Sequence, residues 1–149
     1  MSVLFQITLG SFLLVLCTFI HVGVMMKLTR RLRVIMQSVK FTTARSYFAV
    51  HSGVIFALML SHTIHLYIWA FSLWALGALP GYEEPIYFAL VTYTTVGYGD
   101  TTLGPAFRIF GAMASVNGIL AFGMTTAFLV GLFPRFIGLP DEKDDGDKR

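Results

Sequence analysis

The sequence predicts an all-α membrane protein, with three transmembrane helices and a short re-entrant helix between the second and the third. Three observations carry this reading. The 149 residues are 56% hydrophobic and only 13% charged, against about 25% charged in a soluble domain. The charged residues leave three long gaps along the chain. Between the second and third gaps lies a short apolar stretch that runs into glycine-rich sequence. With a mean hydropathy of +0.72, a soluble monomer of this size has too little interior to hide its apolar surface. That excludes an ordinary soluble enzyme, a disordered regulator and a secreted disulfide scaffold, and the single Cys17 has no partner within the chain.

The gaps set the spans. No Asp, Glu, Lys or Arg occurs from Ser2 to Met26 (25 residues), from Ser46 to Tyr82 (37) or from Ile109 to Pro134 (26). A helix needs about 20 apolar residues to cross a bilayer, so spans are expected at 3–26, 48–79 and 105–133. The runs are too long for barrel strands and lack alternation. The first span reads as a retained helix, not a cleaved signal, because Met1–Phe5 carry no basic residue and the apolar run is long.

Residues 1–26 thus form an N-terminal transmembrane helix, and 27–45 a separate basic segment. Lys27, Arg30, Arg31, Arg33, Lys40 and Arg45 fall there with no acid among them. The positive-inside rule puts this segment in the cytoplasm of a multi-pass cell-membrane protein, with the N-terminus outside and the C-terminus inside. Leu28, Leu32, Ile35 and Val39 share one helical face, opposite Arg30, Arg33, Gln37 and Lys40, with Val34 breaking the pattern. This predicts a helix over 28–40 lying in the membrane interface. Arg30, Arg31, Arg33 and Lys40 would then meet anionic lipid head groups. Three arginines this close, with so few spans, do not make a voltage sensor. The tail 138–149, whose Asp141–Arg149 stretch has five acids and three bases, reads as a disordered cytoplasmic end.

The connection from Pro80 to Gly104 lies outside on this topology, yet Ile86–Val91 is apolar. Pro85 suits the start of a helix, and Glu83 and Glu84 suit its positive end. From Pro85 to about Thr94 there is room for three turns, too few to span. Irregular backbone at membrane depth is tolerated only when buried in protein or lining a water-filled path.

That irregular backbone is Thr94-Thr95-Val96-Gly97-Tyr98-Gly99-Asp100. The run resembles the selectivity-filter signature of potassium channels, T-x-G-Y-G-D. Residues 48–133, within a domain of 46–137, resemble that family's two-span pore module of outer helix, pore helix, filter and inner helix. The first span and basic segment resemble an N-terminal addition found in some small bacterial members. The resemblance implies that Thr95, Val96, Gly97 and Tyr98 offer backbone carbonyls to K+, with the Thr95 hydroxyl as innermost ring. It implies that Tyr98 braces the filter and that Asp100 adds charge at the outer mouth. Gly97 and Gly99 would supply the positive φ that aims successive carbonyls at one axis. One chain holds one such loop, so the family's ring of four implies a C4 homotetramer. Passive potassium conduction is the function implied, with K+ as permeant ligand and no other cofactor. Some members carry a Glu where this chain has Val91, paired with the filter aspartate; here Tyr87 is the candidate partner for Asp100. Phe88 offers no polar handle to Tyr98.

Weaker signals remain. Gly118 on the third span is either a hinge or a close-packing point. Asn117 reads as bonding the back of the pore helix, with a cavity-facing amide as the alternative. His51, His62 and His65 share one face of the second span, and His21 is available from the first. Hydrogen bonding to neighbouring helices is their plain reading; a haem or metal redox site is the alternative. A non-conducting subunit is the third reading. No hydrolase, transferase or nucleotide-binding motif occurs, so neither an enzyme nor a nucleic-acid partner is expected.

Overall fold

The computed structural model describes residues 1–38 and 44–137. Four helices occur in chain order: α1 (Val3–Ser38), α2 (Ala44–Ala75), α3 (Glu83–Tyr93) and α4 (Arg108–Ile137), with no strand among the described residues. Three of them, over Val3–Gln37, Arg45–Ala75 and Arg108–Leu132, are long and apolar enough to cross a membrane. The protein is an all-helical membrane protein.

α1 and α4 run parallel, and α2 runs antiparallel to both. Gln6 sits beside Ile109 and Phe110, His21 beside Thr125, and Leu32 packs with Leu132. On α2 the order reverses: Val54 and Leu58 pack near Leu32, Ser61 meets His21, and Trp69 meets Asn117. Each helix buries a stripe at helical spacing. On α1 it is Gln6, Gly10, Leu13, Cys17, His21 and Leu32; on α4 it includes Phe110, Ala114, Asn117, Gly118, Ala121 and Thr125. The opposite face of α4, with Ala112, Val116, Ile119, Leu120, Gly123 and Val130, is exposed. An apolar face of this length calls for lipid or another chain to cover it.

The helix ends have local causes. α2 stops at Ala75, short of the expected 79, in a Schellman turn. Gly77 takes φ +64, Ala78 N–H bonds the Leu73 carbonyl and Gly77 N–H bonds the Trp74 carbonyl, both at 2.9 Å. α3 begins at Glu83, two residues before the expected Pro85, which sits within the first turn where its missing N–H costs nothing. α4 begins at Arg108, after a tight turn in which Phe107 N–H bonds the Gly104 carbonyl.

The first-span reading needs correction. α1 does not end near Met26; it continues through the basic residues to Ser38. Its 36 residues make a rod of about 54 Å, well beyond a hydrocarbon core of about 30 Å. Nothing between Lys27 and Ser38 breaks a helix: there is no Gly or Pro, and Leu, Arg, Met and Gln favour one. The expected helix lying flat in the interface over 28–40 is therefore the extension of α1. Its apolar stripe faces protein, with Leu28 and Leu32 packing against the cluster of Val54, Leu58 and Leu132. Val39, Lys40 and the tail 138–149 lie outside the described residues.

Candidate functional site

α3 starts beside the end of α2 and descends between α2 and α4. Its buried face is Pro85, Ala89, Val91 and Tyr93. Its last turn closes when Thr94 N–H and Oγ1 both bond the Leu90 carbonyl, at 3.1 and 2.8 Å. Thr95 N–H bonds Thr92, and Gly97 N–H reaches back to the Val91 carbonyl, each at 3.0 Å. The chain then runs as irregular backbone through Tyr98.

The φ values along this run alternate in sign. Thr95 stands at +62, Gly97 at +52 and Gly99 at +78, whereas Val96 and Tyr98 stay on the negative side. Positive φ at the two glycines matches expectation. At Thr95 it does not follow from composition, because a β-branched residue avoids this region at a cost of about 1–2 kcal/mol. Such alternation is neither the helical nor the strand repeat, in both of which φ stays negative, so the run is irregular by conformation. Val96 and Tyr98 are 51% and 73% exposed on this chain.

The outer end of the run is tied to α3. The Tyr87 hydroxyl donates to Asp100 Oδ2, the pairing expected in place of a Glu at Val91. Thr101 N–H bonds Asp100 Oδ1 at 3.0 Å, and the Thr101 hydroxyl donates to Glu84 at 3.0 Å. The bond from Tyr87 holds the Asp100 carboxyl below its ordinary range. In return, bonding to that carboxylate pushes the Tyr87 phenol up to about 12.

Residues 52–134, more than half of the chain, match the family described as ion channel. The chain belongs to the pore-loop ion-channel family. No curated protein and no solved structure matches it. The matched segment of this channel domain takes in most of α2, all of α3, the irregular run and most of α4. α1 lies before it, yet α1 is built into the channel domain. Gln6 Oε1 accepts from the otherwise unpartnered N–H groups of Ile109 and Phe110 at the start of α4, at 3.1 and 3.3 Å. Gln6 Nε2 donates to the Pro105 carbonyl. This cap comes from a helix over a hundred positions away, and a lone Gln in an apolar run was its one signal in sequence.

The inner end of the run is tied differently. Tyr93, the last residue of α3, is buried, and its hydroxyl lies 2.9 Å from His62 Nδ1 and 3.2 Å from His65 Nδ1. Thr125 Oγ1 on α4 lies 2.9 Å from His62 Nε2 and 3.0 Å from His21 Nε2. His21 Nδ1 meets Ser61 Oγ at 2.9 Å. His21 thus joins His62 and His65. His51 does not: it lies apart, with Nδ1 on the Tyr47 carbonyl. Among the described residues no three His, Cys, Asp or Glu side chains are placed to hold a metal ion.

Two further expectations sort themselves here. Asn117 does not bond the back of α3; its Oδ1 accepts from Trp69 Nε1 on α2 at 2.9 Å. Gly118 is a close-packing point, since a methyl group there would overlap the carbonyl oxygen of Tyr93. Arg30, Arg31 and Arg33 are exposed on the extension of α1.

Proposed function

We propose that this channel passes potassium ions passively through a ring of carbonyls supplied by Thr95, Val96, Gly97 and Tyr98 of four copies. The observation that carries this reading is the alternation of φ at Thr95, Gly97 and Gly99. Strain at a β-branched residue persists only where surrounding structure over-determines it, and such positions cluster at functional sites. A ring of carbonyls can replace the water around a cation. The match to the ion-channel family over 52–134 supports conduction in the same segment.

On this reading α3 is the re-entrant pore helix, its negative C-terminal end at Tyr93 directed toward the ion path. One chain carries one run, so four copies around one axis complete the ring. The exposed faces at Val96, Tyr98, Ala112, Val116 and Ile119 are where copies would meet or line the path. The positive-inside rule supports a cytoplasmic position for the basic end of α1 with Lys27, Arg30, Arg31 and Arg33, and an outer position for Gln6 and the Tyr87–Asp100 pair. Arg30, Arg31 and Arg33 then stand among lipid head groups, where each basic side chain attracts anionic lipid by about 1 kcal/mol.

The test is flux from liposomes holding the purified chain, with potassium and sodium compared, beside the mass of the assembly in detergent. The reading expects selective potassium flux from a species of four chains. Equal sodium and potassium flux, or flux from a monomer, would overturn it.

A further inference from the structure

Ser61, His21, Thr125, His62, Tyr93 and His65 form one unbranched hydrogen-bonded chain. Its links measure 2.9, 3.0, 2.9, 2.9 and 3.2 Å in that order, and it threads all four helices. Every inner member is engaged at both of its polar positions. The far end, His65 Nε2, has no hydrogen-bond partner although His65 is fully buried.

Donor counting constrains such a chain. A neutral imidazole has one N–H and one lone pair, and a hydroxyl offers one hydrogen. With each hydroxyl hydrogen spent on a link, all five links point the same way. If donation runs from Ser61 toward His65, the chain ends in an N–H at Nε2 with only a longer contact to the Cys17 backbone to accept it. If it runs from His65 toward Ser61, it ends in a bare lone pair. In the second order a proton can add at that lone pair without breaking a link. Shifting hydrogens along the links carries the charge to His62 or His21, because an imidazolium donates from both nitrogens and the links on either side point away from it.

The surroundings suit such a charge in one respect. The titratable groups facing the imidazoles are Cys17 and His21 from α1 and Tyr93 from α3. α4 brings Thr125 and Phe122, which do not titrate. No Asp, Glu, Lys or Arg is among them. Tyr93 is the C-terminal residue of α3, whose negative dipole end favours a nearby cation.

We propose that this chain binds one excess proton, and that loading it sets a positive charge against the end of α3 and lowers cation conduction. The site stands on geometry alone; its effect on flux rests on the conduction reading above. Potassium flux is to be compared from about pH 7.5 to about pH 5, where a histidine changes charge. The comparison sets the wild type against a variant combining His21→Gln, His62→Gln and His65→Gln, in which each amide still donates and accepts but takes no proton. Wild-type flux is expected to fall on the order of tenfold, the effect of a unit charge about 10 Å from another at an effective dielectric near 20. The variant's flux is expected to stay level. A level wild type, or an equal fall in the variant, overturns the effect on conduction. Imidazole nitrogen resonances of the wild type in lipid test the site itself, without variants or flux. His21, His62 and His65 are expected to shift together with one midpoint, apart from His51. If these three hold unchanged across the range, there is no proton site. If the protein carries no flux at all, the conduction reading fails while the nitrogen titration still decides the site.

Discussion

The two ends of the irregular run are held by opposite means. At the outer end Tyr87 and Glu84 on α3 hold Asp100 and Thr101 through exposed bonds that involve carboxylates. At the inner end Tyr93 is locked by buried imidazoles that are linked through hydroxyls to the other helices. The outer clasp is local, joining residues 13 and 17 positions apart. The inner one spans up to 104 positions and forms only when α1, α2 and α4 are packed. Exposed bonds compete with water and contribute little each, whereas a buried polar group left unpaired costs about 1–3 kcal/mol. The inner end therefore depends on the whole fold, and the outer end on α3 and the loop alone.

The sharpest way to break this arrangement leaves both clasps intact. Gly99→Ala puts a Cβ at φ +78 where nothing crowds it within 4 Å, so the penalty is backbone conformation and not a clash. Membrane insertion and assembly are expected to survive, with potassium-over-sodium flux lost. Unchanged selectivity in liposomes would remove Gly99 from the ion path. Next in size is Gly118→Ala, which drives a methyl into the Tyr93 carbonyl. A loss of about 1–3 kcal/mol is expected from such overpacking, read as earlier thermal unfolding in detergent. Gly123→Ala, with open space around it, is expected to stay within about 0.5 kcal/mol. Were Gly118 a hinge and not a packing point, it would be stability that survived and opening that suffered.

The contrast between the ends also marks what can be read from sequence. The spans are legible because charge is excluded from apolar runs, and the glycines of the loop because positive φ demands them. The Tyr87–Asp100 pair is legible because its partners lie one short helix apart. The inner chain is hidden for a physical reason. Thr8, Thr18, Thr29 and Thr63 each bond the carbonyl four residues back within their own helix. A threonine in an apolar helix is thus ordinarily satisfied at home, and nothing local sets Thr125 apart. Its role follows from the register of α4 against α1 and α2. The end of α1 misleads in the other direction: its amphipathic periodicity is real, but periodicity does not say whether the apolar stripe meets lipid or another helix.

A smaller cut separates the ends by hydroxyl. Tyr93→Phe removes the link between His62 and His65 and strands two buried nitrogens, for an expected loss of about 1–3 kcal/mol. Tyr87→Phe removes an exposed bond, and its expected effect on thermal unfolding is smaller than that of Tyr93→Phe. A Tyr87 variant that unfolded as early as the Tyr93 variant would erase the distinction between a local outer clasp and a global inner one.

The smallest expected effect is the dependence of the outer clasp on pH, and its sign is fixed by the two groups. The Asp100 carboxyl titrates below its ordinary value because Tyr87 donates to it. Its contribution is therefore present above the unfolded carboxylate range and lost only as pH falls through that lowered value. The Tyr87 phenol is raised to about 12, so its contribution is complete below the unfolded phenol range and lost only as pH rises through about 12. Between those limits the clasp keeps one protonation state. Across the histidine range, from about pH 7.5 to about pH 5, no change in flux or stability is then expected to come from the outer end. This is checked in the Tyr87→Phe variant: its flux profile over that range is expected to parallel the wild type's, displaced at most by a constant. A slope that differs between the two would mean that the outer clasp titrates with the imidazoles, and the ends would be one electrostatic unit instead of two.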